Sequence, residues 1–294
     1  MISTLLLLTS SPAPVEGFDI IRLQSAAARL SQFVREQEVA GVIALVQRNG
    51  IPVSHTAHGY ASMEPKKLMQ KDTVFQVMSM TKPVTAAAVM ICAERGLLNL
   101  DDPVSRYLPA FADLRVKQPD GTVKPANRTI TIRHLLTHTS GLSSNDPGGL
   151  DDATKARLTL SDYASRYGQD PLEFEPGTQI RYSGPGITAA GRIVEIVNKM
   201  KFETFLKVEL FDKLKMKDTT FFASESYKSR LAQMTWFEEG AWRVINADPM
   251  RPGSKFANPA GGLYSTATDM ARFMPVSYTH LRRCAVRRSR NRHH

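Results

Sequence analysis

The chain has 294 residues, of which 42% are hydrophobic and 8% aromatic, and it carries a formal charge of +10. That balance excludes a collagen-like or low-complexity protein and allows a sizeable core in one large domain or two small ones. Six of the positive charges are arginines (282, 283, 287, 288, 290 and 292) between Ser277 and His294, where no acidic residue falls, so the body carries only +4 and no nucleic-acid partner is expected.

The first 17 residues hold one short apolar run, Leu5 to Leu8, with no Lys or Arg before it. That is too little for a membrane span or a complete signal peptide, and residues 1–17 read as a disordered start or a signal remnant. Asp19 is placed to cap a helix, and Leu23, Ala27, Leu30 and Val34 recur at helical spacing, so an amphipathic helix is predicted over 19–37. A hairpin follows: Val42 to Gln47 and Val53 to Tyr60 read as strands about an Asn49-Gly50 turn. Two strands alone are marginal, so they are expected to join a larger sheet.

From Ser79 to Arg95 the chain reads SMTKPVTAAAVMICAER, with Gly96 placed to end a helix and Pro83 tolerable in its first turn. Beyond that turn almost every residue is apolar, the pattern of a buried helix. A loop-rich stretch with turns at Asp101-Asp102-Pro103 and Pro119-Asp120-Gly121 leads to a short helix over 131–138, closed by Ser140-Gly141. Further helices are predicted over 187–199 and 202–211. No internal repeat appears, and two strands among many helices without βαβ alternation predict an α+β fold. The tail after Phe273-Met274 has neither helical nor strand period and reads as foreign or frameshifted sequence, or as a basic arm.

At the head of a buried helix, Ser79 and Lys82 lie three residues apart on one face, close enough for the ammonium to approach the hydroxyl. The helix N-terminus favours negative charge on oxygen and, with burial, disfavours a protonated lysine. Lys82 is therefore a candidate base or proton shuttle for a serine nucleophile, and the Ser79 N–H a candidate oxyanion donor. A serine that merely caps a helix needs no lysine at that place, where its charge opposes the dipole.

Ser79-Met80-Thr81-Lys82-Pro83 resembles the S-x-x-K motif of serine β-lactamases and penicillin-binding proteins. The stretches from Leu135 to Leu142, Arg181-Tyr182-Ser183, Met216 to Phe221 and Gly261 to Thr266 are similar, in order, to segments of the class C β-lactamase-related group, which includes esterases and D-Ala-D-Ala peptidases. The resemblance covers about residues 18–274. It implies an antiparallel sheet flanked by helices plus a mostly helical region, with Tyr182 relaying a proton near Ser79 and Lys82. Two departures stand out. The second motif often reads Tyr-x-Asn, but here Gly184 takes the amide's place, which disfavours β-lactam hydrolysis more than ester hydrolysis. The third motif, Lys or His, any residue, then Gly, has no credible copy after Phe273, so the last sheet strands are expected to be missing and this chain to be weakly stable and weakly active.

The resemblance thus implies acyl transfer through Ser79, Lys82 and Tyr182 on a small ester, amide or β-lactam, with no cofactor or metal. The other class of reading is a slowly deacylating or non-catalytic sensor domain of the same fold. Oligomeric state and compartment, whether periplasmic, secreted or cytoplasmic, are not legible. Other signals carry blander readings. His134 and His138 lack a third ligand and a general-base glutamate, so packing or capping outweighs zinc. Gly184-Pro185-Gly186 reads as a turn into a helix, and Asn127-Arg128-Thr129 as a sequon without a secretion signal. Met78 and its neighbouring methionines read as core filler. Cys92 and Cys284 are too few for a disulfide framework.

Overall fold

The computed structural model describes residues 17–144, 154, 157–222, 224–245 and 254–275. The expectations for residues 1–16, for the arginine-rich tail, for Cys284 and for the third motif lie outside the described residues. In chain order come helix α1 (Ile20–Arg35), strands β1 (Gly41–Arg48), β2 (Ile51–Met63), β3 (Lys66–Leu68) and β4 (Phe75–Gln76), and helix α2 (Thr81–Glu94). Strands β5 (Arg115–Lys117) and β6 (Val123–Pro125) are followed by helices α3 (Ile132–Leu136), α4 (Leu160–Tyr167), α5 (Gly184–Asn198), α6 (Phe202–Leu206) and α7 (Glu225–Lys228). Strands β7 (Thr235–Glu238), β8 (Ala241–Val244) and β9 (Tyr264–Ser265) precede a last helical stretch, 267–275. The mixture of helices with antiparallel strand pairs is the α+β arrangement expected.

The chain forms two units, the first made of residues up to 73 together with 230–246. Its first helix starts as predicted, because the Asp19 carboxylate accepts the Ile21 and Arg22 N–H groups at 2.9 and 3.2 Å. Strands β1 and β2 pair from Arg48↔Ile51 to Gly41↔Gly59 about Asn49 and Gly50, whose φ values of 52° and 80° are those of the two-residue turn that matches strand twist. Strand β3 extends the sheet beyond the predicted pair, in the order β1-β2-β3. No residue of α1 or β1 is fully buried. A second hairpin, β7 and β8, turns at Glu239-Gly240; the sequence pattern had not revealed it.

The second unit, residues 74–229 with 247 onward, holds the large hydrophobic core. Val84, Ala88, Val89 and Cys92 of α2 and Ala189, Ala190, Ile193 and Val194 of α5 are buried in it. Full burial of a valine or isoleucine such as Val84 or Ile193 stabilises by roughly 1.5–3 kcal/mol. Helix α5 also packs on α3 and α4. Gly191 lets it approach the chain ahead of β9, since a Cβ there would lie 2.4 Å from Pro259 Cγ. Strand β4 pairs with β9, Phe75↔Ser265 and Gln76↔Tyr264, and the Val77 N–H continues the pairing to the Leu263 carbonyl at 2.9 Å.

Several boundaries differ from the sequence expectation. The predicted 79–95 helix is a tight 3₁₀ turn over Met78–Met80 that leads into α2. Helix α5 starts at Gly184 rather than 187, because Ser183 caps it and Pro185 fits the first turn. The 202–211 helix changes from α to π winding at Lys207. Within the loop-rich stretch, β5 and β6 form a short hairpin around Gly121, whose φ is 83°.

Candidate active site

The site is built where β4 hands the chain to α2. Met78 sits in the left-handed region with φ 46°, which bends the chain sharply out of the strand pairing and into the 3₁₀ turn carrying Ser79. Thr81 holds this bend from inside. Its hydroxyl donates to the Met78 carbonyl at 2.6 Å and accepts the Leu263 N–H at 3.2 Å. No side chain caps either the turn or α2, so the Ser79 hydroxyl is not spent on its own backbone.

Lys82, in the first turn of α2, donates from Nζ to Ser79 Oγ at 3.1 Å and to the Ala260 carbonyl at 2.6 Å. One turn further, Thr85 Oγ1 donates to the Pro259 carbonyl at 2.7 Å, so the segment before β9 is fastened along the start of α2. Asn258 shapes that segment, its Oδ1 accepting the Ala260 N–H at 2.9 Å. Both bonds hold the Pro259–Ala260 peptide, and the Gly261 N–H closes the next one onto the Asn258 carbonyl at 3.3 Å, which keeps the Ala260 carbonyl on Lys82.

Tyr182 comes from the residue before the α5 cap. Its Oη lies 2.6 Å from Ser79 Oγ, and Lys82 Nζ lies 4.6 Å from its ring centroid. The structure thus brings together all three residues singled out by sequence: Ser79, Lys82 and Tyr182. Burial pushes the Tyr182 phenol upward, but hydrogen bonding to Lys82 and Ser79 and the Lys82 charge outweigh it and hold the phenol below its usual range. His138 packs its ring against Tyr182 with centroids 4.7 Å apart, and its Nδ1 accepts the Ser183 N–H at 3.1 Å. Burial, and next the Lys82 charge, hold this imidazole's pKa below the ordinary histidine value, favouring the neutral ring.

Thr81, the Ala260 carbonyl and His138 were not singled out as parts of the site from sequence. Thr81 and His138 lie inside stretches that resemble the family and Ala260 directly precedes one, and that was the available signal. The two histidines do separate work: His134 Nδ1 accepts the Thr131 N–H at 3.2 Å in a capping box, while His138 serves the Tyr182 segment. The methionine expectation is corrected. Met78 is 47% exposed and Met80 55%, because the left-handed bend and the 3₁₀ turn face them outward on either side of Ser79. Gly184 has room for a side chain, as a Cβ there would meet only Ala260 Cβ at 3.7 Å. Asn127 donates from its side chain to Glu175 at 3.0 Å.

The sequence profile of the Beta-lactamase family matches residues 26–293. The chain is 32% identical over 278 residues to Esterase EstB of Burkholderia gladioli, covering 84% of this chain and 69% of the esterase. It is 31% identical over 248 residues to Protein Rv1367c of Mycobacterium tuberculosis, covering 80% of this chain and 61% of that one. It therefore spans about two thirds of the length of these curated relatives. Among solved structures, EstCE1, described as a hydrolase with promiscuous acyltransferase activity, superposes with a TM-score of 0.73 at 26% identity, over 85% of this chain and 71% of that one. Ordered motifs, fold and relatives agree: this chain belongs to the beta-lactamase family.

Proposed function

We propose that the chain is a serine hydrolase that forms an acyl-enzyme on Ser79, with Tyr182 carrying the proton and the Lys82 cation stabilising its phenolate. The observation that supports this best is the single hydrogen-bonded chain of Lys82 Nζ, Ser79 Oγ and Tyr182 Oη, at 3.1 and 2.6 Å. A phenol held below its usual range beside a cation is a competent base for a serine hydroxyl. Ser79 Oγ bonds to the substrate carbonyl carbon as its proton passes to the Tyr182 phenolate, and the carbonyl π pair moves onto oxygen. When the C=O re-forms, the bond to the leaving oxygen breaks and that oxygen takes the proton from Tyr182. Water then takes the leaving group's place and the sequence runs in reverse: its oxygen bonds to the acyl carbon as its proton passes to Tyr182, and the bond to Ser79 Oγ breaks as that oxygen takes the proton, freeing the acid. The positive end of α2 favours the transient oxyanion.

An ester is the favoured substrate class. Gly184 supplies no amide to hold a β-lactam or peptide carbonyl, and two of the three similar proteins above are named as an esterase and as a hydrolase with acyltransferase activity. Labelling with a fluorophosphonate probe, followed by p-nitrophenyl esters against nitrocefin, tests the reading. Equal labelling of the native protein and Ser79→Ala would reject the nucleophile, and faster nitrocefin than ester turnover would reject the substrate class.

A further inference from the structure

Tyr182 and the residue before it lie outside any helix or strand, and the tyrosine side chain is 53% exposed. Arg181 pairs with Glu173 and Ser183 caps α5, and between them the phenol oxygen lies 2.6 Å from Ser79 Oγ. The backbone N–H groups on either side of Tyr182 both end on one residue: Arg181 N–H on the His138 carbonyl at 2.8 Å, and Ser183 N–H on the His138 Nδ1 at 3.1 Å. The imidazole of the same residue lies against the Tyr182 ring, 4.7 Å between centroids at an interplanar angle of 34°. His138 is also the left-handed residue that closes α3, with φ 58° and the Thr139 N–H returning to the His134 carbonyl at 3.0 Å, so the helix end fixes where the imidazole stands.

We infer that His138 is a positioning residue for Tyr182, gripping the backbone on both sides and the ring between, so that the phenol stays on Ser79. The inference rests on the reading of Tyr182 as the proton carrier. The residue type fits the task. A neutral imidazole combines an acceptor nitrogen with a flat face, whereas asparagine offers the acceptor without the face and glycine offers neither. Asparagine and glycine both tolerate φ near 58°, so they remove the grip in steps without adding backbone strain.

The experiment measures the acylation rate and KM with a p-nitrophenyl ester for the native protein, His138→Asn, His138→Gly, Tyr182→Phe and the double variants His138→Asn/Tyr182→Phe and His138→Gly/Tyr182→Phe. His138→Gly is expected to slow acylation about 10- to 100-fold with KM within about threefold, the size of effect a misplaced catalytic group produces. His138→Asn is expected to recover part of that loss, because the Ser183 N–H regains an acceptor. In the Tyr182→Phe background both substitutions should change the rate by no more than about twofold. A full-sized effect in that background, or no effect of His138→Gly in the native one, overturns the positioning role while leaving Tyr182 in place. An unchanged rate for Tyr182→Phe alone instead overturns the proton-carrier reading, and the positioning role with it.

Discussion

Two helix starts meet at this site and use serine in opposite ways. At α5, Ser183 caps its own helix, accepting the Gly186 N–H at 3.2 Å, and Pro185 fills the first turn. At α2 there is no cap; Ser79 lies in a 3₁₀ turn whose bend is held by Thr81 and by the pairing of Val77 with Leu263. Capping satisfies a helix locally but occupies the hydroxyl. A helix start supported from a distance leaves its hydroxyl available to Lys82 and Tyr182. The serine proposed as nucleophile is therefore the one on which its local structure depends least.

That contrast can be broken by substitution. The largest effect is expected for Ser79→Ala, which should lower ester hydrolysis by about 10⁴-fold or more while the melting temperature stays within a degree or two, since this hydroxyl caps nothing. A matching loss of stability would show that Ser79 is structural after all. Next comes Thr81→Val. It keeps the side-chain shape but strips partners from the Met78 carbonyl and the Leu263 N–H, and should cost about 1–3 kcal/mol in denaturant unfolding. An unchanged midpoint would mean that the bend is held by something else. Ser183→Ala should cost about 1 kcal/mol and change acylation only a few-fold, because its N–H still reaches His138. A rate loss like that of Ser79→Ala would erase the distinction between the two serines.

The smallest effect sharpens the electrostatics. With the Tyr182 phenol held below its usual range, the base form grows as pH rises, so the acylation rate should climb on an alkaline limb whose midpoint lies below that of a free tyrosine. The limb should be absent in Tyr182→Phe. A midpoint at or above the free value would remove the role assigned to the Lys82 cation.

Much of this was legible in the sequence because it is local. The Asp19 cap, the Asn49-Gly50 turn, the apolar α2 and the Gly96 stop each follow from preferences expressed within a few residues. The spacing of Ser79 and Lys82 carried its chemistry for the same reason, and the ordered motifs added Tyr182, more than a hundred residues away. The misses have a common cause too. Met78 and Met80 looked like core because hydrophobicity alone does not say which way a residue faces, and here a left-handed bend decided it. His138 is packed, as expected, but what it packs against was not legible, because its partners, Arg181 and Ser183, are more than forty residues on.

The sequence by itself determined the family, the helix that carries Ser79 and the three polar groups of the proposed proton path, since helical spacing and ordered motifs are properties of the chain read along its length. Only the tertiary structure decided what holds those groups in register. The Ala260 carbonyl on Lys82, the Thr81 hydroxyl between Met78 and Leu263, and the His138 grip on Tyr182 join segments far apart in the chain. Hydrogen bonds of that kind depend on distances fixed by packing, and no pattern of neighbouring residues encodes them.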